Sequence, residues 1–304
     1  MADNRSLWSE LDVTSRDGTR IHVYRTGKPG KTLFFAPGLG GPIESWQAIA
    51  ERFCGEYQVV SWDPRGTYKS EKPGDESNCL IPHHVMDMEV IAETLELGKL
   101  VVGGWSMGVE IAIEFTSRHQ DNVDGLVLIA GTYGRLLDTM LNVYLPDTTI
   151  NLLTKGLSAL GKPVSTTLKM LLNDNPTFLK ILKGIGFVKN NENAFQVLAE
   201  RFSSLDFGFY FKLVRGLATH DSKALLSRIT VPTLVIAGEA DRITPLSVMR
   251  EIKDSIPNSR LMVLPEATHY CIVEYPEIVI SAIGAFLGWL ERRSSEITPI
   301  NLLT

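Results

Sequence analysis

Four short apolar runs constrain the fold of this chain more than any other feature: residues 32–36, 58–62, 100–103 and 126–130, all rich in Val, Leu and Phe. A strand with one face in water alternates apolar and polar residues. A run without alternation needs cover on both faces, the situation of strands in a parallel sheet. Between the runs lie helix-patterned segments at about 43–53, 83–97 and 107–118. This alternation predicts an α/β fold, a mostly parallel twisted sheet of about eight strands with helices on both faces. The first pair differs: residues 11–25 read as two strands joined at Asp17-Gly18, a dipeptide suited to a tight antiparallel hairpin.

The alternation stops near Thr132 and resumes near Ala224. From there, a helix-like stretch from Lys223 to Ile229 leads into a strand from Thr233 to Ala237. A helix at about 246–255, a strand from Arg260 to Leu264 and a final helix follow. The stretch between is helix-patterned, strand-poor and punctuated by Pro146, Gly161-Lys162-Pro163, Pro176 and Gly184-Ile185-Gly186. We therefore expect a core built from residues 1–131 and 221–304 and an inserted helical cap over 132–220. The cap holds ten Lys or Arg against six Asp or Glu, which we read as solvated helix faces.

Charge and composition exclude several functions. A net charge of −5 over 304 residues lacks the basic excess of a nucleic-acid binder. Apolar residues make up 44%, yet no stretch reaches the roughly 18 uninterrupted apolar residues of a membrane span. The nearest, Ile278 to Leu290, ends in Glu291-Arg292-Arg293 and reads as a helix packed on the sheet. The first six residues carry no apolar signal region. The cysteines, Cys54, Cys79 and Cys271, are three, widely spaced and without a C-x-x-C pair, which points to a reducing, cytoplasmic setting and to no cysteine zinc site. His83-His84 has no third ligand at plausible spacing and is expected to start a helix rather than hold a metal.

The chemistry centres on Gly104-Trp105-Ser106-Met107-Gly108, a G-x-S-x-G pattern directly after a buried strand and directly before a helix. Alone the pattern is weak. In this position it describes a sharp strand-to-helix turn that small residues allow to close, with the serine hydroxyl lifted above the sheet edge at a helix N-terminus. A serine hydroxyl needs a general base, and the base an orienting carboxylate. Asp241 follows the strand ending at Ala237, and His269 follows the strand ending at Leu264. Both therefore fall in loops at the same carboxyl edge of the sheet as Ser106, where open α/β sheets place ligands.

The order Ser, Asp, His in these contexts resembles the α/β-hydrolase fold superfamily, in its serine esterase and lipase-like branch. Further motifs agree over about residues 12–290, the cap excepted. Ala36-Pro37-Gly38-Leu39-Gly40-Gly41 resembles the family's His-Gly oxyanion loop, with Pro37 where many members have histidine. Asp63-Pro64-Arg65-Gly66-Thr67-Tyr68-Lys69-Ser70 resembles the D-x-R-G-x-G-x-S loop, with Tyr68 at its small-residue position, where it is expected to shape the pocket rim. Val231 to Gly238 resembles the strand leading to the acid, and places Asp241 rather than Glu239 or Glu266 at the matching position.

The resemblance implies that Ser106 is nucleophile, His269 base and Asp241 its orienter, with the backbone N–H groups of Leu39 and Met107 as oxyanion donors. It implies no metal and no organic cofactor. Trp46, Trp105, Tyr133 and Tyr270 flank the motif loops and are expected at the pocket. Cap residues Leu141, Val143, Leu152, Leu153, Leu157, Leu171, Leu172, Phe178, Ile181, Leu182 and Phe187 are expected to roof it. The expected partner is a small-molecule carboxylic ester with an apolar acyl or alcohol part. Carbon–carbon bond hydrolases of the family carry the same Ser-Met-Gly but typically asparagine where this chain has Trp105. Thioester, lactone, perhydrolase and acyl-transfer chemistry use the same triad. A non-catalytic ligand-binding relative is the alternative of another class.

Overall fold

The computed structural model describes residues 7–161, 163–167 and 189–297. Eight strands form one sheet: β1 (Ser9–Thr14), β2 (Arg20–Thr26), β3 (Thr32–Ala36), β4 (Gln58–Trp62), β5 (Leu100–Ser106), β6 (Val123–Gly131), β7 (Thr233–Gly238) and β8 (Ser259–Leu264), in the order β1-β2-β4-β3-β5-β6-β7-β8. β2 pairs antiparallel with β1 and β4, while every pair from β4 to β8 is parallel. The expected fold class is thus the observed one.

The continuous apolar runs have the two-sided cover they require. β3, β4 and β7 are buried at every residue. Successive side chains of a strand point to opposite faces. Phe34, Val60, Val102, Leu128 and Val235 therefore join one core, and their neighbours Phe35, Val59, Val101, Val127 and Ile236 join the other. The first core is closed by α2 (Ile81–Thr94) and α3 (Met107–His119), with Val85, Met88, Ile91 and Ile111 facing inward. The second is closed by Ile49 and Phe53 of α1 (Gln47–Phe53) and by Val279, Ile283 and Leu287 of the final helix, Pro276–Ile297.

Boundaries differ from expectation where burial overrides local pattern. The helix expected from 83 starts at Ile81, because Pro82 in its first turn forgoes an N–H that has no intrahelical partner there, so His83-His84 lies inside the helix. The helix expected from Lys223 to Ile229 stops at Leu226. Between β6 and β7 the chain is helical, with no strand among the described residues, and includes α4 (Leu136–Leu141), α5 (Asp147–Ala159), α6 (Glu192–Ser203) and α7 (Phe207–Thr219). Leu141, Val143, Leu152, Leu153 and Leu157 are exposed rather than turned to a pocket. α5 packs on α7 and buries only Ile150 and Thr154, which leaves the leucines on its free face. Leu171, Leu172, Phe178, Ile181, Leu182 and Phe187 lie outside the described residues. No helix among the described residues is long and apolar enough to cross a membrane.

One buried ionic network ties the first hairpin to the sheet. Arg65 is fully buried and donates from Nε to Asp87 Oδ2 at 2.9 Å, from Nη2 to Asp87 Oδ1 at 2.5 Å and from Nη1 to Asp17 Oδ2 at 2.7 Å. The carbonyl of Asn78 accepts a further bond at 2.7 Å, and the Ser15 hydroxyl donates to Asp87 at 2.6 Å. Removing one partner of a buried pair strands the other charge, at a cost of about 3–5 kcal/mol. Asp87→Ala is expected to lower unfolding free energy by about that amount in urea titrations. A loss below about 1 kcal/mol would show that the network does not hold the hairpin.

Candidate active site

The sheet reverses its winding at β3, with β4 on one side and β5 on the other. Loops after β3 and β5 therefore open side by side, where doubly wound sheets hold their ligands. β3 and β5 are in register to Ala36↔Gly104, so the 37–41 loop and Ser106 leave the sheet together. Ser106 ends β5 and caps α3 with φ 57° and ψ −120°, a backbone conformation that costs on the order of 1–3 kcal/mol outside glycine. Close packing enforces it. A Cβ on Gly104 would lie 2.0 Å from the Gly108 carbonyl oxygen, and one on Gly108 would lie 2.0 Å from that of Ala36.

His269 Nε2 lies 2.9 Å from Ser106 Oγ, and its Nδ1 lies 3.0 Å from Asp241 Oδ2. With the Nδ1 proton held against the carboxylate, Nε2 is left to accept from the serine hydroxyl. Asp241 is buried and fully partnered: Ile243 N–H and Thr244 N–H donate to Oδ1, each at 2.8 Å, and the Thr244 hydroxyl donates to Oδ2 at 2.8 Å. Burial alone would raise the Asp241 carboxyl, but His269 and Thr244 outweigh it and hold the group below its ordinary value. The histidine loop has its own anchors. Trp105 Nε1 donates to the His269 carbonyl at 3.0 Å, and the Thr268 N–H donates to buried Glu274 at 2.8 Å.

Glu239 and Glu266 do not enter this chain. Glu239 is exposed and accepts the Glu266 N–H at 3.2 Å, and Glu266 itself is exposed. A cavity of 330 Å³ opens onto Ser106 and His269, lined by Leu39, Trp105, Phe195, Phe202, Tyr210 and Tyr270 among others. No Asp, Glu, Lys or Arg lines it among the described residues. Burial pushes the Tyr210 and Tyr270 phenols up, so both stay protonated donors. Met107 opens α3, where helix amides have no intrahelical partner, and Leu39 borders the cavity.

Two expected pocket residues lie elsewhere. Trp46 is buried and stacked on Phe35, ring centroids 4.6 Å apart, because the turn carrying it folds onto the core face of the sheet. Tyr133 points away: its hydroxyl donates to Glu251 at 2.6 Å and Lys223 covers its ring. Sequence reasoning missed Thr244 and Glu274. The spacing Asp241-Arg242-Ile243-Thr244-Pro245 carried a signal for the first, since an Asp three residues ahead of a threonine often bonds its N–H and hydroxyl. Phe195, Phe202 and Tyr210 belong to the helical segment and carry no local motif. Among the described residues no group of three or more His, Cys, Asp or Glu is arranged to hold a metal ion.

The 63–70 loop sits beside this site on a rigid frame. Asp63 accepts from the Tyr24 hydroxyl at 3.0 Å and the Lys69 N–H at 3.1 Å, and the Ser70 hydroxyl donates to the Asp63 carbonyl at 2.7 Å. The chain's sequence and fold match known proteins. The family model described as alpha/beta hydrolase fold matches residues 31–276. The pimeloyl-[acyl-carrier protein] methyl ester esterase of Nitrosomonas europaea is 26% identical over 273 residues, 87% of this chain and 98% of that protein. The 2-hydroxy-6-oxononadienedioate/2-hydroxy-6-oxononatrienedioate hydrolase of Cupriavidus pinatubonensis is 26% identical over 91% of this chain and 94% of its own. An esterase from Exiguobacterium antarcticum superposes with a TM-score of 0.73 over 92% of this chain and all of its own, and at 21% identity it speaks for the fold alone.

The Asp63 carboxyl gives the site a measurable pH signature. Burial pushes it up from 3.8 to about 6, against the bonds it accepts from Lys69 and Tyr24. Between about pH 4 and pH 6 the folded chain thus holds a proton that the unfolded chain has released, and stability falls as pH rises through that window. Asp63→Asn cannot ionise. The decline in unfolding free energy from pH 4 to pH 7 is expected to be shallower in this variant by up to about 3 kcal/mol, read by urea titration across pH. An identical slope in both proteins would mean that Asp63 is ionised throughout.

Proposed function

Because the chain belongs to the alpha/beta hydrolase fold family, we propose that it is a serine hydrolase that cleaves carboxylic esters with an apolar acyl or alcohol part. The observation that carries this reading is the unbroken hydrogen-bond line from Ser106 through His269 to Asp241, opening into an apolar, aromatic cavity with no Asp, Glu, Lys or Arg among its described lining residues. Ser106 Oγ attacks the ester carbonyl while His269 Nε2 takes its proton. Asp241 holds the imidazole tautomer and stabilises the imidazolium. The amides of Leu39 and Met107 receive the oxyanion, and each such donor is worth about 3–4 kcal/mol of barrier. His269 returns the proton to the leaving alkoxide. Water, activated by the same nitrogen, then releases the acid and frees Ser106.

Residues 132–220 act in this reading as a cap. Leu136, Phe195, Phe202, Tyr210 and Leu217 face the cavity from that segment and supply most of the apolar wall. Its composition argues for neutral substrates. A substrate carboxylate buried against the described lining would lose its water without gaining a cationic partner there, a cost of several kcal/mol. This weighs against the doubly charged compounds in the name of the Cupriavidus relative.

p-Nitrophenyl esters of increasing acyl length test the proposal. Wild type is expected to turn them over, Ser106→Ala to lose about 10³-fold or more in kcat, and the optimum length to reflect the cavity. Absence of turnover on every ester by folded wild-type protein would overturn the esterase reading in favour of carbon–carbon bond cleavage or ligand binding.

A further inference from the structure

We propose that Tyr68 is a positioning residue for the proposed hydrolase, its hydroxyl clamping the Gly40 carbonyl and thereby fixing the 37–41 loop that presents the Leu39 amide to the reacting carbonyl. The inference rests on the serine hydrolase reading above and adds to it a residue outside the triad and the oxyanion donors.

The loop needs an outside anchor. It consists of Pro37, Gly38, Leu39, Gly40 and Gly41, so three of its five residues are glycine and one has no N–H to donate. One backbone bond ties it internally, from the Gly41 N–H to the Gly38 carbonyl at 3.0 Å. Gly40 sits at φ +70°, and its Cα faces Phe202, whose ring a Cβ would approach to 2.8 Å. Glycine peptides in such a loop rotate readily, and a rotated carbonyl in an oxyanion site presents negative charge where negative charge is to develop. The Tyr68 hydroxyl donates to the Gly40 carbonyl at 2.6 Å, which fixes the peptide plane that follows Leu39-Gly40.

Tyr68 is itself held by backbone rather than by packing alone. It occupies φ +47°, the left-handed region that a bulky side chain rarely adopts. Its neighbours enforce that conformation: the Thr67 hydroxyl donates to the Pro64 carbonyl at 2.6 Å, the Ser70 N–H to the Thr67 carbonyl at 3.0 Å, and the His22 N–H to the Ser70 hydroxyl at 2.8 Å. The phenol is thus delivered to Gly40 from the rigid strand edge of the sheet. Burial, with Asp63 close by, keeps that phenol well above its ordinary value, so it remains a donor at any working pH. Arg201 lies over the Tyr68 ring, 5.9 Å from its centroid, and bonds Glu44 at 2.9 Å, which closes the far side of the ring. A strained tyrosine whose hydroxyl reaches a glycine loop at the nucleophile is explained by holding that loop; a glycine would meet the backbone requirement of the 63–70 turn alone.

Tyr68→Phe keeps the ring and removes the hydroxyl. On a p-nitrophenyl ester turned over by wild type, the variant is expected to lose about 10- to 100-fold in kcat with KM within about 3-fold. A boronic acid that adds to the serine and mimics the tetrahedral oxyanion is expected to bind more weakly by a similar factor. The carboxylate product is expected to bind equally to both proteins. A general loosening of the site would instead weaken product and boronate together and raise KM, and that pattern overturns the proposal. Tyr68→Gly, which removes backbone strain and hydroxyl together, is expected to show the same loss in kcat, so recovery of wild-type kcat in the glycine variant would also overturn it. Unchanged kcat and boronate affinity in Tyr68→Phe, with wild type active and Ser106→Ala inactive, refutes this inference alone. Turnover and boronate binding that survive Ser106→Ala refute the serine hydrolase reading, and the inference with it.

Discussion

The structure depends on one close approach: the backbone of α3 at Gly108 pressed against the carbonyl end of β3 at Ala36, with Gly104 pressed against Gly108 in turn. No side chain fits between them. The contact forces β5 to turn into α3 within one residue and leaves Ser106 in a conformation that the chain would not choose. Packing over the whole central sheet offsets that strain, since β3, β5 and β6 are buried almost throughout and each feeds side chains to both cores. The same contact sets the neighbours of Ser106. β3 delivers the 37–41 loop beside it, β6 reaches Gly131 opposite it, and the parallel order of β7 and β8 brings Asp241 and His269 to the same edge.

Buried charge is handled in two ways. Arg65 is placed in a dry setting with every nearby acceptor committed, so it fixes the hairpin, the 63–70 loop and α2 relative to one another. Asp241 is surrounded by donors on both oxygens, which keeps it charged and still in the place where it meets His269. Asp63, with fewer donors than Asp241, gains affinity for its proton instead. Asp241 and Asp63 differ for this reason: burial raises both carboxyls, and hydrogen bonds to the charged form reverse that only at Asp241.

The sheet and the meeting of Ser106, Asp241 and His269 were legible in the sequence for a common reason. Each strand is a continuous apolar run, and each of the three residues follows closely on the end of one, so strand order and a shared edge suffice to bring them together. Trp46 and Tyr133 misled because adjacency to a motif says nothing about which face a side chain takes; Trp46 turned to the core beside Phe35 and Tyr133 to Glu251. The exposed leucines of α5 misled for a related reason, since an amphipathic pattern shows that a face is apolar and not what covers it. Glu274 lay hidden because its partner, the Thr268 N–H, is set by loop geometry beyond the strand end, whereas Thr244 was overlooked despite its spacing from Asp241.

The cavity divides along the same line. Its floor, formed by Gly38 to Pro42, Trp105, Ser106 and His269, comes from short motifs whose geometry is dictated by the sheet, and it changes little without breaking the fold. Its wall, formed by Phe195, Phe202, Tyr210 and Leu217, comes from two helices whose only requirement is an apolar inward face. Substitutions in the wall resize the cavity at the cost of local packing, whereas substitutions in the floor alter the strained turn itself. A chain organised this way separates the residues that would make a bond reactive from those that would choose which molecule carries it. Tyr68 stands between the two, since its hydroxyl reaches the floor at Gly40 while Arg201, which sits on α6 outside the cavity lining, lies over its ring. α6 thus bears on the 37–41 loop through two aromatic rings, Phe202 packed directly on Gly40 and Tyr68 by way of Arg201.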